Sequence, residues 1–246
     1  QLTYLKERIR QIPAGRFIEI GPGNGEITRL LLDHGWKGLS YDLAEKTIDA
    51  LKLRFAKEID ERRFTPVLGN YILSATDKVD LVISCMVMEH LEDDVEKAYM
   101  KQSAQLLNEN GLMIGLVPAS PEHCGIEDDI AGHCRRYTRE SVATLASVNG
   151  WKLRHIAGLT FPVSNLLLPI SNYLVNRNER AKLALSMIER TKQSGHRKVH
   201  FKTHFPAILG IILNVFTMYP LHLLQKLFAK SKNALVLYFE LQPNKQ

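Results

Sequence analysis

The sequence predicts an α/β protein: a doubly wound, mostly parallel sheet of seven strands, with a helical insertion before the last strand. Three observations predict it. Short apolar runs alternate four times with amphipathic stretches of helical period through short connections, as when parallel strands carry helices on both faces. The first apolar run is followed at once by three alternating glycines and then by a helical stretch. The sixth and seventh runs are separated by about 75 residues, a length that is normally functional.

With 246 residues, 45% apolar and 24% charged, the chain has the make-up of one globular domain with a proper core. Residues 1–157 and 233–246 read as the main domain, and 158–232 as the insertion. Cys85, Cys124 and Cys134 do not suggest a disulfide framework, so a reduced, cytoplasmic setting is expected. Gln1 to Gln11 is polar and charged, unlike a signal peptide. The net charge is +6, but Gly158 to Lys232 holds eleven Lys/Arg and two Asp/Glu. The basic excess therefore sits in the insertion. It points to an anionic partner there: a phosphate-bearing substrate, anionic lipid or nucleic acid.

Leu2 to Ile12 reads as a helix leading into the first strand, Phe17 to Ile20. Gly21-Pro22-Gly23-Asn24-Gly25 follows, then a helix from Glu26 to Leu32 with Ile27, Leu30 and Leu31 on one face. Glycine serves where the backbone takes positive φ or must touch a ligand with no Cβ in the way. The N-terminus of the helix offers unpaired N–H groups to an anion. A dinucleotide site needs G-x-G-x-x-G/A, whereas here position 26 is Glu and the acidic Glu19 stands two before the first glycine. The pattern resembles motif I of the class I S-adenosyl-L-methionine (SAM) methyltransferases. That resemblance implies the class I methyltransferase fold, SAM as cofactor, and Glu19, Gly21, Gly23 and Gly25 at its site.

Gly38 to Asp42 reads as the second strand. A carboxylate at its end can accept both ribose hydroxyls, with Leu43 beside it at the cofactor. Asp42 equally suits an N-cap for the helix Glu45 to Phe55, and the two roles are compatible. Phe64 to Tyr71 reads as the third strand and its exit loop. In the family's pattern an acidic or amide residue here meets the adenine amine, and an apolar neighbour packs on the ring. Asn70 and Tyr71 stand in those places, with Asn departing from the more usual Asp. Asn70 also reads as a turn residue. Lys78 to Cys85 is the fourth strand, and Met86 to Leu91 resembles the family's "EHL" stretch. Ligands sit at the carboxyl end of such a strand, so Cys85 and Met86 are expected beside the methionine half of the cofactor. His90 reads either as a general base or as a structural, orienting group.

A helix from Val95 to Leu107 leads to Asn110-Gly111, read as its C-cap and turn, and to a fifth strand from Leu112 to Pro118. Ala119 to Tyr137 reads as a long substrate-facing loop. Its His123-Cys124 and His133-Cys134 pairs invite a zinc reading, but neither C-x-x-C nor H-x-x-x-H is present, and no metal is expected. Gly132-His133-Cys134-Arg135-Arg136-Tyr137-Thr138 resembles the "GHxRRYT" sequence of a bacterial methyltransferase subgroup. That places Arg135, Arg136 and Tyr137 at the substrate and makes His133 a second candidate base. Arg135 and Arg136 offer forked donors to carboxylate or phosphate. They can equally pair with Glu127, Asp128 or Asp129 and close the loop on itself.

Thr138 caps a helix to about Val148, Trp151 to Ala157 is the sixth strand, and Asn233 to Leu241 is the last. The family's fold pairs these two antiparallel at the sheet edge. The insertion between them carries two apolar patches, Leu159 to Val175 and Phe205 to Leu224, around a basic helix from Arg177 to Lys192. Pro206, Gly210, Asn214 and Pro220 interrupt the second patch, which argues against a membrane span. A lid over an apolar substrate pocket, a homodimer surface and a monotopic contact with the inner face of a membrane remain as readings. The expected activity is methyl transfer from SAM to a small-molecule, lipid-linked or glycan acceptor. The alternatives are an RNA-directed enzyme and a non-catalytic SAM-binding protein. Nucleic acid is disfavoured because the fourth strand ends in Ser84-Cys85-Met86-Val87, not the Asn/Asp-Pro-Pro-aromatic motif of amino-methylating nucleic-acid enzymes.

Overall fold

A computed structural model describes residues 1–184 and 214–244 of the chain. The described elements run α1 (Leu2–Ile9), β1 (Arg16–Ile20), α2 (Glu26–Asp33), β2 (Lys37–Asp42), α3 (Glu45–Arg54), α4 (Ala56–Asp60), β3 (Phe64–Leu68), α5 (Tyr71–Ser74) and β4 (Val79–Cys85). After a 3-10 turn come α6 (Asp93–Leu106), β5 (Leu107–Pro118), α7 (Ile126–Ala131), α8 (Arg139–Val148), β6 (Trp151–Leu159), α9 (Val163–Glu179), α10 (Val215–Leu227) and β7 (Val236–Pro243).

The sheet has seven strands in the order β3-β2-β1-β4-β5-β7-β6. Only β7 runs antiparallel, against both β5 and β6. The fold is the class I methyltransferase fold, with its strand order reversing between β1 and β4. In such sheets ligands bind at the carboxyl ends of the strands beside that reversal. Alternation along β1 splits the core. Ile18 packs with Tyr99, Met100 and Val142 on one face, while Phe17 packs with Leu31, Leu51 and Phe55 on the other. Gly115 makes room for its cross-strand partner on β7: a Cβ there would lie 2.1 Å from the Phe239 ring.

Several boundaries differ from expectation. β5 begins at Leu107, directly after α6, and its register shifts between Val79 and Leu81. Asn110-Gly111 therefore lies within an irregular stretch of strand and does not cap the helix. The Asn108 amide secures this stretch by donating to Asp80 Oδ1 at 2.7 Å. The loop after β5 contains a 3-10 turn and α7, and α7 ends at Gly132 in the left-handed conformation. Thr138 caps α8 as its sequence predicts, its hydroxyl accepting from Ser141 N at 3.0 Å.

Of the insertion, Gly158–Ala184 and Asn214–Lys232 are described. Pro169 sits inside α9 without ending it. The rest of the expected basic helix, and the second apolar patch before Asn214, lie outside the described residues. Among the described residues no helix is long and apolar enough to cross a membrane. α10 is clamped to α1: Glu7 pairs with His222 at 2.8 Å and Lys226 at 2.7 Å. α1 is held in turn to the sheet. Arg8 forms a forked pair with Glu240 of β7, at 2.7 and 2.9 Å, and Tyr238 donates its hydroxyl to the same carboxylate.

Burial alone would raise the pKa of Glu240, but the Arg8 and Tyr238 hydrogen bonds outweigh it and hold the carboxyl below its usual value. The Arg8 contribution is therefore present above pH 4.5, the ordinary carboxyl value, and lost as pH falls through the lower folded value. Arg8→Ala is expected to lower the unfolding free energy at pH 7 by about 3 kcal/mol, since it strands a buried carboxylate. Urea unfolding at pH 7 and pH 3 checks this. An unchanged midpoint at pH 7 contradicts it, and the two proteins should converge in acid.

Candidate active site

A cavity of about 1170 Å³ opens at the carboxyl ends of β1, β2 and β4. The glycine loop forms one wall. Gly21, Gly23 and Gly25 all take positive φ, at +67°, +52° and +78°. A Cβ on Gly21 would lie 2.6 Å from the Val87 side chain, and one on Gly25 would lie 2.6 Å from the Phe55 ring. Gly25 is the N-cap residue of α2, so the loop delivers the free end of that helix to the cavity edge.

Glu19 holds the loop from beneath. It is 2% exposed, and its Oε2 accepts from the Thr28 hydroxyl of α2 and, at 3.2 Å, from the Ser40 hydroxyl of β2. Burial pushes its carboxyl up to about 7, with the two hydroxyls opposing the shift.

Asp42 closes β2 at the cavity. Its Oδ1 accepts from Ala44 N at 2.8 Å, and Ala44 is the N-cap residue of α3. Leu43 beside it is 60% exposed at the rim. Asn70 combines both of its readings: it lines the cavity, and as N-cap of α5 its Oδ1 accepts from Ile72 N at 2.9 Å. Tyr71 also borders the cavity but is largely core. It is 3% exposed, its ring stands edge-on to Tyr41, and its hydroxyl meets Ser103 Oγ at 3.0 Å. Ile72, half-buried, lines the cavity as well. The first turn of α5 carries most of the Tyr71 side chain into the core.

Cys85 and Met86 end β4 at the cavity, and Met86 takes φ +55°. A non-glycine residue held there is strained, a condition common at functional sites. Burial pushes the Cys85 thiol up to about 12, so it is no thiolate nucleophile.

The far side of the cavity brings His90 and His133 together, their rings edge-to-face with centroids 4.9 Å apart. His90 Nδ1 meets the Gly132 carbonyl at 3.0 Å, and burial lowers its pKa to about 4. His133 Nδ1 meets Asp128 Oδ1 at 2.7 Å. Glu89 lies behind them, fully buried, with Oε1 3.8 Å from His133 Nε2. Burial raises its carboxyl to about 8.

The Arg-Arg-Tyr run divides. Arg136 lines the cavity but is bound to Asp128 at 2.9 Å and to the Ala119 carbonyl at 2.9 Å, the loop-closing arrangement. Arg135 turns away onto α6, pairing with Asp93 and Glu96 and donating to the Leu91 carbonyl at 2.7 Å. The Tyr137 hydroxyl donates to Glu96, and neither Arg135 nor Tyr137 borders the cavity. Their partners on α6 lie too far away in sequence for local pairing to suggest them. Cys124 and Cys134 are exposed and free.

A lid is one reading of the insertion from its sequence, with no residues assigned to it. Leu167, Leu168, Ser171 and Leu174 of α9 face the cavity, so this part of the insertion covers it. The helical spacing of these residues was the available signal, masked by Pro162 and Pro169. Gly25→Ala tests the loop geometry. The left-handed φ and the approach to Phe55 are expected to cost about 2 kcal/mol. Thermal denaturation reads this, and a melting temperature equal to the parent's contradicts it.

The family model of the methyltransferase domain matches residues 2–156. Similar solved structures include TehB from Haemophilus influenzae, 14% identical, covering 65% of this chain and 55% of that chain at a TM-score of 0.53. The glycopeptide N-methyltransferase MtfA in complex with SAM is 16% identical and covers 64% of this chain and 86% of that one at 0.53. The O-methyltransferase NcsB1 from neocarzinostatin biosynthesis, solved with S-adenosyl-L-homocysteine and 1,4-dihydroxy-2-naphthoic acid, is 18% identical at 0.50. It covers 63% of this chain and 52% of that one, so this chain spans about half the length of TehB and of NcsB1. At these identities the likeness is one of fold. Curated proteins give no match. The family model covers more than half of the chain, and the sheet order and glycine loop agree with it: the chain belongs to the methyltransferase-domain family.

Proposed function

We propose that the protein transfers the methyl group of SAM to an oxygen of a small, largely apolar acceptor held beneath α9. One observation carries this reading. A single cavity runs from the glycine loop to α9, and its 1170 Å³ exceeds the roughly 300–1,000 Å³ of a single small-molecule site, leaving room for donor and acceptor together. The solved complex of NcsB1 with S-adenosyl-L-homocysteine and 1,4-dihydroxy-2-naphthoic acid supports a small aromatic or alicyclic acceptor.

The residues present fit the donor. Asp42 supplies a carboxylate for the ribose hydroxyls, Leu43 and Ile72 give apolar faces for adenine, and Asn70 meets its amine. The glycine loop and the head of α2 suit the methionine carboxylate, with Glu19 positioning the loop. When bound, SAM supplies a methyl group on a sulfonium, open to in-line displacement. The protein's part is alignment and exclusion of water. His90 is neutral near pH 7 because burial lowers its pKa, and its Nδ1–H donates to the Gly132 carbonyl. Its Nε2 is thereby the basic nitrogen, and with His133 it borders the acceptor side of the cavity. Cys85 and Met86 border the reacting centre.

The outer face of α9 exposes Leu166 and Tyr173. That supports a lipid-linked acceptor as the second reading, with α9 touching a membrane surface or a second copy of the chain.

Asp42→Ala is expected to weaken SAM binding about 10- to 100-fold, the loss of hydrogen bonds to a charged acceptor, with little change in the melting temperature of the donor-free protein. Titration calorimetry decides it, and equal affinity sinks the ribose assignment. Incubating a cell extract with labelled SAM and separating small-molecule, lipid and RNA fractions tests the acceptor class. Label is expected in the first or second fraction. Label confined to RNA rejects the proposal.

A further inference from the structure

We propose that Glu89, His90 and His133 form a binding site for one divalent first-row metal ion of the zinc or iron class, open to the acceptor side of the cavity. This rests on the methyltransferase reading for its purpose, but the site itself stands on geometry. The ligand atoms of the three side chains all lie within 4.8 Å of one another. Ions of this class sit about 2.0–2.2 Å from imidazole nitrogen and carboxylate oxygen, so small side-chain rotations close the cluster onto an ion.

Two features mark the cluster as built. Each imidazole is turned by a partner on Nδ1: the Gly132 carbonyl at 3.0 Å for His90, and Asp128 Oδ1 at 2.7 Å for His133. Nδ1 is then the donor, and Nε2 carries the lone pair. Metal-ligating histidines are fixed in this way by a carbonyl or carboxylate behind them. Asp128 is itself immobilised by Arg136 Nε at 2.9 Å and Gly125 N at 2.9 Å.

The second feature is Glu89. It is fully buried, and neither carboxylate oxygen has a hydrogen-bond partner. Burying a carboxyl without a hydrogen-bond partner is unfavourable, and native structures rarely carry one without a reason. A cation between Glu89 and the two Nε2 atoms supplies the missing partner. Two imidazoles and one carboxylate suit zinc, iron, cobalt or nickel better than calcium or magnesium, which favour oxygen.

His90 and His133 line the cavity, whereas Glu89 lies behind them. The remaining positions on the ion therefore face the acceptor. Three protein ligands with an open position is the arrangement of a catalytic, not a structural, zinc site. The acceptor class that fits presents a hydroxyl to the ion. The ion favours loss of the hydroxyl proton to water. The oxygen then forms its bond to the methyl carbon as the carbon–sulfur bond breaks, leaving S-adenosyl-L-homocysteine. The Arg-Arg-Tyr segment gains a role in this arrangement, because Arg136 positions Asp128, which orients His133.

The test uses the full-length chain, stripped with a chelator and titrated with cobalt(II) by absorption spectroscopy and with zinc by calorimetry. One equivalent is expected to bind, with cobalt giving visible ligand-field bands. Glu89→Gln and His133→Ala should each weaken binding at least 100-fold, and Asp128→Asn about 10- to 100-fold, because a neutral amide oxygen is a weaker acceptor for His133 Nδ1–H than the carboxylate. The double variant Cys124→Ser/Cys134→Ser should bind as the parent does. SAM affinity, measured on the same samples, separates a misfolded variant from a missing ligand. It also separates failure of this inference from failure of the methyltransferase reading. Absence of stoichiometric binding by the parent overturns the proposal, as does binding that survives Glu89→Gln or disappears with the cysteines.

Discussion

The active site depends on a carboxylate that meets no solvent. Glu19 leaves β1 toward the α2 face of the sheet and takes hydroxyls from Thr28 on α2 and Ser40 on β2. It thereby links the strand before the glycine loop, the helix after it and the neighbouring strand that ends in Asp42. Without that link, three left-handed glycines in five residues would leave the loop many conformations, since glycine gives up more backbone freedom on ordering than any other residue. Burial opposes the arrangement by raising the Glu19 carboxyl to about 7. An acidic group is kept there at a cost in stability because one carboxylate oxygen, Oε2, accepts from both neighbouring elements at once.

The same logic recurs across the strand-order reversal. β1 and β4 are hydrogen-bonded neighbours, and beyond β4 the chain buries a second carboxyl, Glu89, with no hydrogen-bond partner. One buried acid is satisfied by its own fold, and the other lacks a partner within it. That asymmetry matches the two halves of the reaction. The donor half is positioned by backbone and by groups local to β1 and β2. The acceptor half is assembled from β4, the loop after β5 and α9, so its chemistry is only completed by something that binds.

This division also explains what the sequence showed. The sheet, the glycine loop and the placement of Asp42 and Asn70 at the cavity were legible because each is encoded by a short spacing: strand, turn and cap within a few residues. The acceptor side was not. His90 and His133 come from different connections and meet only once α7 has folded and placed the Gly132 carbonyl on His90. Arg135 and Tyr137 looked like substrate groups because their partner, Glu96, belongs to a helix far earlier in the chain. Asn110-Gly111 resembled a helix stop, but the pairing of β5 with β4 reached back past it to Leu107. In each case a long-range partner outweighed a local signal.

The insertion follows from the position of β7. Inserting this strand antiparallel between β5 and β6 leaves the chain after β6 at the carboxyl edge of the parallel strands, beside the cavity mouth. A short connection would leave that mouth open. α9 instead lays Leu167, Leu168 and Leu174 across it, and α10 returns over α1, clamped through Glu7 and its partners His222 and Lys226. Water excluded by that roof matters twice, because a sulfonium reacts with any competing nucleophile and because polar contacts strengthen where the local dielectric is low. Arg136 cannot serve as a free anion receptor under the roof, since Asp128 and the Ala119 carbonyl already hold it. On the proposed function, recognition of the acceptor falls to the apolar roof and to the Glu89, His90 and His133 cluster.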